Sequence, residues 1–146
     1  MVAFLHTSTA LETKPSVVAV LDDEPEMRKA LRRLLVNRKF VVEEFASGED
    51  FLASLESHQP DCLLLDLQMP GVNGFSVLEA FQSRHIRLPV VVVTAHDEPG
   101  TAERVAALGA SACLKKPVDR NILFAAIEAA TASVPKDNHA YEHTER

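Results

Sequence analysis

Leu63-Leu64-Leu65-Asp66-Leu67-Gln68-Met69-Pro70-Gly71 is the stretch from which the rest of the chain is best read. An apolar run ends on a carboxylate, and a Pro-Gly pair follows at once. A short continuous apolar run bounded by a turn signal reads as a buried strand, and Pro-Gly marks the turn that leaves it. Asp66 therefore stands where a strand gives way to its loop. Val17-Val18-Ala19-Val20-Leu21 has the same character and ends on Asp22-Asp23-Glu24. Val90-Val91-Val92-Val93 ends on Thr94-Ala95, and Ala112-Cys113-Leu114-Lys115 ends on Lys116-Pro117. Phe40-Val41-Val42-Glu43-Glu44-Phe45 supplies one more strand and ends without a reactive side chain.

Helical periodicity fills the gaps. Pro25 suits the first position of a helix, and Met27, Ala30, Leu31, Leu34 and Leu35 follow at amphipathic spacing. Arg28, Lys29, Arg32 and Arg33 take the opposite face, which reads equally as a solvated face or as a docking surface. Ser47 to Asp50 resembles a capping box with the shorter acid; its helix buries Phe51, Leu52 and Leu55 and is closed by Pro60. Phe75, Leu78 and Phe81 mark the third helix, and Ala102, Val105, Ala106 and Gly109 a stripe on the fourth. Asp119 caps the last helix, whose buried side carries Leu123, Ala126, Ile127 and Ala130. Ile122 and Phe124 fall off that stripe, as plain exposed surface or as part of a partner face. Continuous apolar strands with helical crossovers predict an α/β fold with a parallel sheet covered on both faces. The expected architecture is a flavodoxin-like, doubly wound (βα)5 unit with strand order 2-1-3-4-5.

The totals agree with one domain. The chain has 146 residues, 47% of them hydrophobic, and a net charge of −6 that argues against non-specific nucleic-acid binding. Cys62 and Cys113 read as reduced, buried thiols rather than a disulfide or metal site. The scattered histidines lack metal spacing. No apolar run approaches the ~18 residues of a membrane span, and Met1 to Leu11 lacks the basic start of a signal peptide. A cytoplasmic protein is expected, with a flexible lead-in over 1–15, a domain over 16–133 and a polar tail over 134–146.

Ligands of open α/β sheets bind beyond the carboxyl ends of the strands, at the switch point of strand order. Here that point lies between the first and third strands, where Asp22, Asp23 and Asp66 meet. Three carboxylates in one crevice repel, so one must protonate or a cation must join them. Hard oxygen donors at a phosphate-handling site favour Mg²⁺. Lys116 brings a fixed positive charge and Thr94 a hydroxyl. A carboxylate nucleophile in that company is a phosphoryl-accepting site. Asp66 is the expected nucleophile, Asp23 the expected direct Mg²⁺ ligand, and Asp22 an orienter of water around it. Taken singly these residues are ordinary: an Asp at a strand end is a turn residue, and acids before a helix complement its dipole. Only the set overturns those readings.

From about Val17 to Ala132 the chain resembles the receiver domain of two-component response regulators. The resemblance rests on Asp22-Asp23-Glu24, Leu63 to Gly71 with Asn73-Gly74, Val92-Val93-Thr94-Ala95 and Lys115-Lys116-Pro117. It implies that Asp66 accepts a phosphoryl group from the phosphohistidine of a histidine kinase or phosphotransfer protein. It implies Mg²⁺ held by Asp22, Asp23, Asp66 and the main-chain carbonyl of Gln68, phosphate contacts from Thr94 and Lys116, and a cis Lys116-Pro117 peptide. A stand-alone signalling receiver is expected, not a turnover enzyme. It would have a downstream protein target, no direct DNA binding, and an option to dimerise through the fourth helix, fifth strand and fifth helix. Family members usually carry an aromatic three residues before the lysine; here the position is Cys113, which puts the usual threonine–aromatic coupling in question. His96 and Gln68 border the path of hydrolytic water. A haloacid-dehalogenase-like phosphatase is disfavoured because Gln68 cannot move a proton and there is no room for a cap domain. A flavin carrier is disfavoured because acids after the first strand would repel a phosphate.

Overall fold

The computed structural model describes residues 16–95 and 98–132. His96, the lead-in and the polar tail lie outside the described residues. The strands are β1 (Val17–Leu21), β2 (Val41–Phe45), β3 (Cys62–Leu65), β4 (Val90–Thr94) and β5 (Ala112–Lys115). The helices are α1 (Pro25–Asn37), α2 (Gly48–Ser54), α3 (Gly74–Ser83), α4 (Thr101–Ala107) and α5 (Arg120–Ala132). All strand pairs are parallel and the order is β2-β1-β3-β4-β5, as expected.

Period-two alternation divides the apolar strands between two cores. Ala19, Leu21, Leu63, Leu65, Val90 and Val92 face Phe51, Val77, Leu78, Phe81 and Val105 from α2, α3 and α4. Val18, Val20, Cys62, Leu64, Val91 and Val93 face Leu31 and Leu35 of α1, with Leu123, Phe124 and Ile127 of α5. A strand buried on both sides needs apolar residues at every position, which is why β1, β3 and β4 are unbroken runs. Edge strand β2 carries Glu43 and Glu44 and exposes Val41. Local chemistry sets the helix starts. Pro25 opens α1; the Ser47 hydroxyl accepts from Asp50 N at 3.1 Å; Asn73 Oδ1 accepts from Ser76 N at 3.0 Å; Asp119 Oδ1 accepts from Asn121 N at 2.8 Å. Among the described residues, no helix is long and apolar enough to cross a membrane.

Three helix faces differ from expectation, the slightest being α1, where Ala30 is exposed at the edge of the Leu31 and Leu35 stripe. On α4 the buried stripe is Thr101, Val105 and the half-buried Leu108, while Ala102, Ala106 and Gly109 are exposed. Both stripes share Val105. Alanines offer little area, so the larger Leu108 turns inward and sets the rotation. On α5, Phe124 is buried at 6% exposure, and only Ile122, at 55%, remains outside. Phe124 widens the stripe next to Leu123, and the Arg38 guanidinium covers its ring at 4.2 Å from the centroid. Phe124 is therefore a core residue, not part of an open partner face.

These packing roles predict unequal costs. Phe51→Ala should destabilise by about 3–5 kcal/mol in urea unfolding, because its ring is fully buried between Phe45 and Phe81. Ile122→Ala should stay within about 0.5 kcal/mol of the parent. Equal midpoints for the two variants would contradict the assignment.

Candidate functional site

The sheet ladder continues past the strands and sets the site residues at one level. Asp22 N donates to Phe45 O at 3.2 Å, Asp66 N to Leu21 O at 3.0 Å, and Lys116 N to Thr94 O at 3.0 Å. The backbone therefore fixes where each functional side chain starts. Asp22, 2% exposed, turns one oxygen back to accept from Glu24 N at 2.9 Å. Arg28, at the start of α1, donates to the Asp22 carbonyl at 2.7 Å and lies 3.7 Å from Glu44. Arg32 pairs with the same Glu44 at 3.2 Å. Part of the basic face of α1 is thus tied down to β2 and to the strand end, rather than turned wholly to solvent.

Asp66 is 5% exposed. Its carboxylate accepts from Gln68 N at 3.4 Å and from the Thr94 hydroxyl. Lys116 Nζ reaches Asp22 Oδ2 at 2.9 Å, Asp66 Oδ2 at 3.7 Å and Glu24 Oε1 at 3.7 Å. The Lys116-Pro117 peptide is cis. One carboxylate oxygen from each of Asp22, Asp23 and Asp66 lies within 4.8 Å of the others. The structure thus brings together Asp22, Asp23, Asp66, Thr94 and Lys116, with the Gln68 backbone beside them. Glu24 and Arg28 join this group although sequence reasoning gave neither a place in it. Their signal was positional: Glu24 follows the Asp22-Asp23 pair directly and Arg28 lies in the first turns of the helix that comes next.

The charges are unbalanced. Burial raises the pKa of Asp66 and the charge of Asp22 raises it further, while Lys116 and the hydrogen bonds from Thr94 and Gln68 pull the other way without prevailing. Burial alone would lower the Lys116 pKa, but its hydrogen bond to Asp22 and the charges of Asp66, Asp22 and Glu24 hold it above the usual lysine value. One ammonium therefore faces several carboxylates. The residues fit a divalent cation: three hard oxygen donors converge, and the cluster lacks positive charge.

A glycine anchors the loop behind Asp66. A Cβ on Gly74 would lie 2.6 Å from the Asp66 carbonyl oxygen and 2.7 Å from Leu67 Cα. Those are backbone atoms, so the contact cannot be relieved by a side-chain rotation. Gly74 N also donates to Leu67 O at 3.1 Å. The start of α3 is thus pressed directly onto the phosphoacceptor candidate's own backbone.

Two outcomes follow from this geometry. Asp66 binds its proton more tightly in the fold than in the unfolded chain, so ionising it as pH rises costs stability. That cost is absent below the ordinary value of 3.8 and complete above the raised one. Asp66→Asn should therefore raise Tm at neutral pH in Mg²⁺-free buffer, with the gain vanishing below pH 3.8; an unchanged or lower Tm at neutral pH would refute it. Gly74→Ala should cost about 1–3 kcal/mol in denaturant unfolding and displace the Asp66 amide resonance; a silent substitution would show that the contact is slack.

Comparison with known proteins places this architecture. The family profile described as "Response regulator receiver domain" matches residues 18–128. The DNA-binding transcriptional regulator NtrC of Salmonella typhimurium is 37% identical over 114 residues, covering 78% of this chain and 24% of NtrC. The DNA-binding transcriptional activator EvgA of Escherichia coli is 31% identical, over 76% of this chain and 55% of EvgA. The chain thus spans about a quarter to a half of the length of these relatives. Among solved structures, response regulator StyR superposes with a TM-score of 0.80 at 33% identity, covering 91% of this chain and 67% of that one. A response regulator receiver protein from Burkholderia phymatum superposes with a TM-score of 0.72 at 37% identity, over 82% and 96%. With the profile covering most of the domain, the chain belongs to the response regulator receiver domain family.

Proposed function

We propose that Asp66 is the phosphoacceptor of a two-component relay. The observation that carries the reading is a buried Asp66 carboxylate with Lys116 at 3.7 Å and Asp22 and Asp23 beside it. In the proposed transfer, an Asp66 oxygen attacks the phosphorus of a phosphohistidine on a histidine kinase or phosphotransfer protein. The P–N bond breaks, and the imidazole leaves with the electron pair. Lys116, kept protonated by its acidic neighbours, stabilises the negative charge of the phosphoryl oxygens. The Thr94 hydroxyl, which donates to Asp66 in the unmodified state, can turn to a phosphoryl oxygen instead. Asp22, Asp23, Asp66 and the main-chain carbonyl of Gln68 would hold Mg²⁺, which supplies charge neutralisation during the transfer. The burial that disfavours the Asp66 anion is relieved when cationic charge gathers there.

The modified site biases a two-state equilibrium whose readout is the α4, β5 and α5 face, available to a downstream protein or to a second copy of the chain. The domain acts by phosphorylation-dependent protein contact. Gln68, two residues after Asp66, cannot act as a general acid, which weighs against an aspartyl-phosphate phosphatase reading. The decisive measurement is Mg²⁺-dependent labelling by a small phosphodonor such as acetyl phosphate. Wild type should label, Asp66→Ala should not, and Lys116→Met should label roughly 100-fold more slowly. Equal labelling of wild type and Asp66→Ala would overturn the assignment.

A further inference from the structure

A groove of about 430 Å³ runs beside the site and is lined by Leu67, Gln68, Met69, Pro70, Asn73 and Phe75. One lining residue, Phe75, is the second residue of α3. The Arg104 guanidinium of α4 lies over that ring, 3.7 Å from the centroid. This contact joins two elements that leave the site by different strands: α3 follows β3 and Asp66, and α4 follows β4 and Thr94.

Both ends of the contact are coupled to the site. Phase one of that coupling is steric: Phe75 follows Gly74, whose Cα abuts the Asp66 carbonyl so tightly that even a methyl group would collide. The other end is loosely held. α4 has seven residues, starts at a left-handed Gly100 with no side-chain cap, and fully buries only Thr101 and Val105. α5, by contrast, buries Leu123, Phe124, Ile127 and Ala130. Elements with few buried side chains open at low cost, so the Arg104–Phe75 contact adds to a small set of restraints on α4 that includes the buried Val105. On β5, the residue paired with Val92 is the half-buried Cys113, which packs on the same core as Val105 of α4.

We propose that the Arg104–Phe75 contact is a latch that holds α4 in its resting position and is released when the β3–α3 loop moves on phosphorylation of Asp66. The role as a relay rests on Asp66 being the phosphoacceptor. Arg104 and Phe75 are positioning residues: neither touches the carboxylate cluster. The latch gives the loop after Asp66 a direct route to α4, alongside the route through Thr94.

The test uses the full chain and amide NMR with hydrogen exchange, first in the free protein and then with Mg²⁺ and beryllofluoride. In the free protein, Arg104→Gln and Phe75→Leu should each speed exchange of the α4 amides roughly 2- to 10-fold and move their resonances toward the wild-type beryllofluoride positions. Arg104→Lys, which keeps the cation, should restore most of the protection. Because the latch opposes the phosphorylated state, Arg104→Gln and Phe75→Leu should accept phosphate from a small donor at least as readily as wild type. Wild-type α4 exchange and resonances in both Arg104→Gln and Phe75→Leu, with Asp66 still responding to beryllofluoride, would overturn the latch alone. Absence of any beryllofluoride response at Asp66 and Leu67 in wild type would overturn the phosphoacceptor reading and the relay together.

Discussion

The 2.9 Å pair between Lys116 Nζ and Asp22 Oδ2 is the constraint on which the site depends. Both groups are largely buried, at 13% and 2% side-chain exposure. Removing Lys116 would leave Asp22 and Asp66 buried beside each other without a cation. Lys116 also faces Asp66 and Glu24, so one ammonium divides its field among several acids. The arrangement is not tuned for maximum stability. It keeps the cluster short of positive charge, which leaves it receptive to a cation and leaves Asp66 costly to ionise.

The sheet makes such a cluster tolerable. β1 and β3 are central, both buried on two faces, and their ladder hydrogen bonds extend one residue beyond each strand to hold Asp22 and Asp66. Side chains that repel one another are therefore held by backbone bonds and apolar packing that do not depend on their charge. Gly74 adds a second restraint from the opposite side by pressing α3 onto the Asp66 peptide. The parts with the least packing around Asp66 are the β3–α3 loop and the short helix α4.

The basic face of α1 shows how tertiary contacts divide one sequence pattern into different roles. Arg28 and Arg32 are engaged with Glu44, and Arg28 also binds the Asp22 carbonyl. Lys29 and Arg33 are exposed, with Val36 beside them at 48% exposure. Helical spacing groups these cations on one side; it does not say which of them meets an acid from a neighbouring strand.

Sequence by itself determined the element order, the parallel sheet and the residues gathered at its carboxyl edge. Those features follow from strong local signals: unbroken β-branched and leucine runs, Pro and Asp at helix starts, and acids or Lys116 at the strand ends. What only the tertiary structure decided was rotation and partnership. The stripe of α4 shifted to Thr101, Val105 and Leu108 because alanine faces carry too little area to fix a helix's orientation before its neighbours are present. Phe124 became a core residue because it packs in the cluster with Leu31, Leu35, Leu123 and Ile127, with Arg38, just after α1, over its ring. The Arg104–Phe75 contact and the place of Glu24 near Lys116 likewise join residues distant in the chain. Periodicity reports which residues share a face, whereas contacts of this kind depend on how the faces are docked.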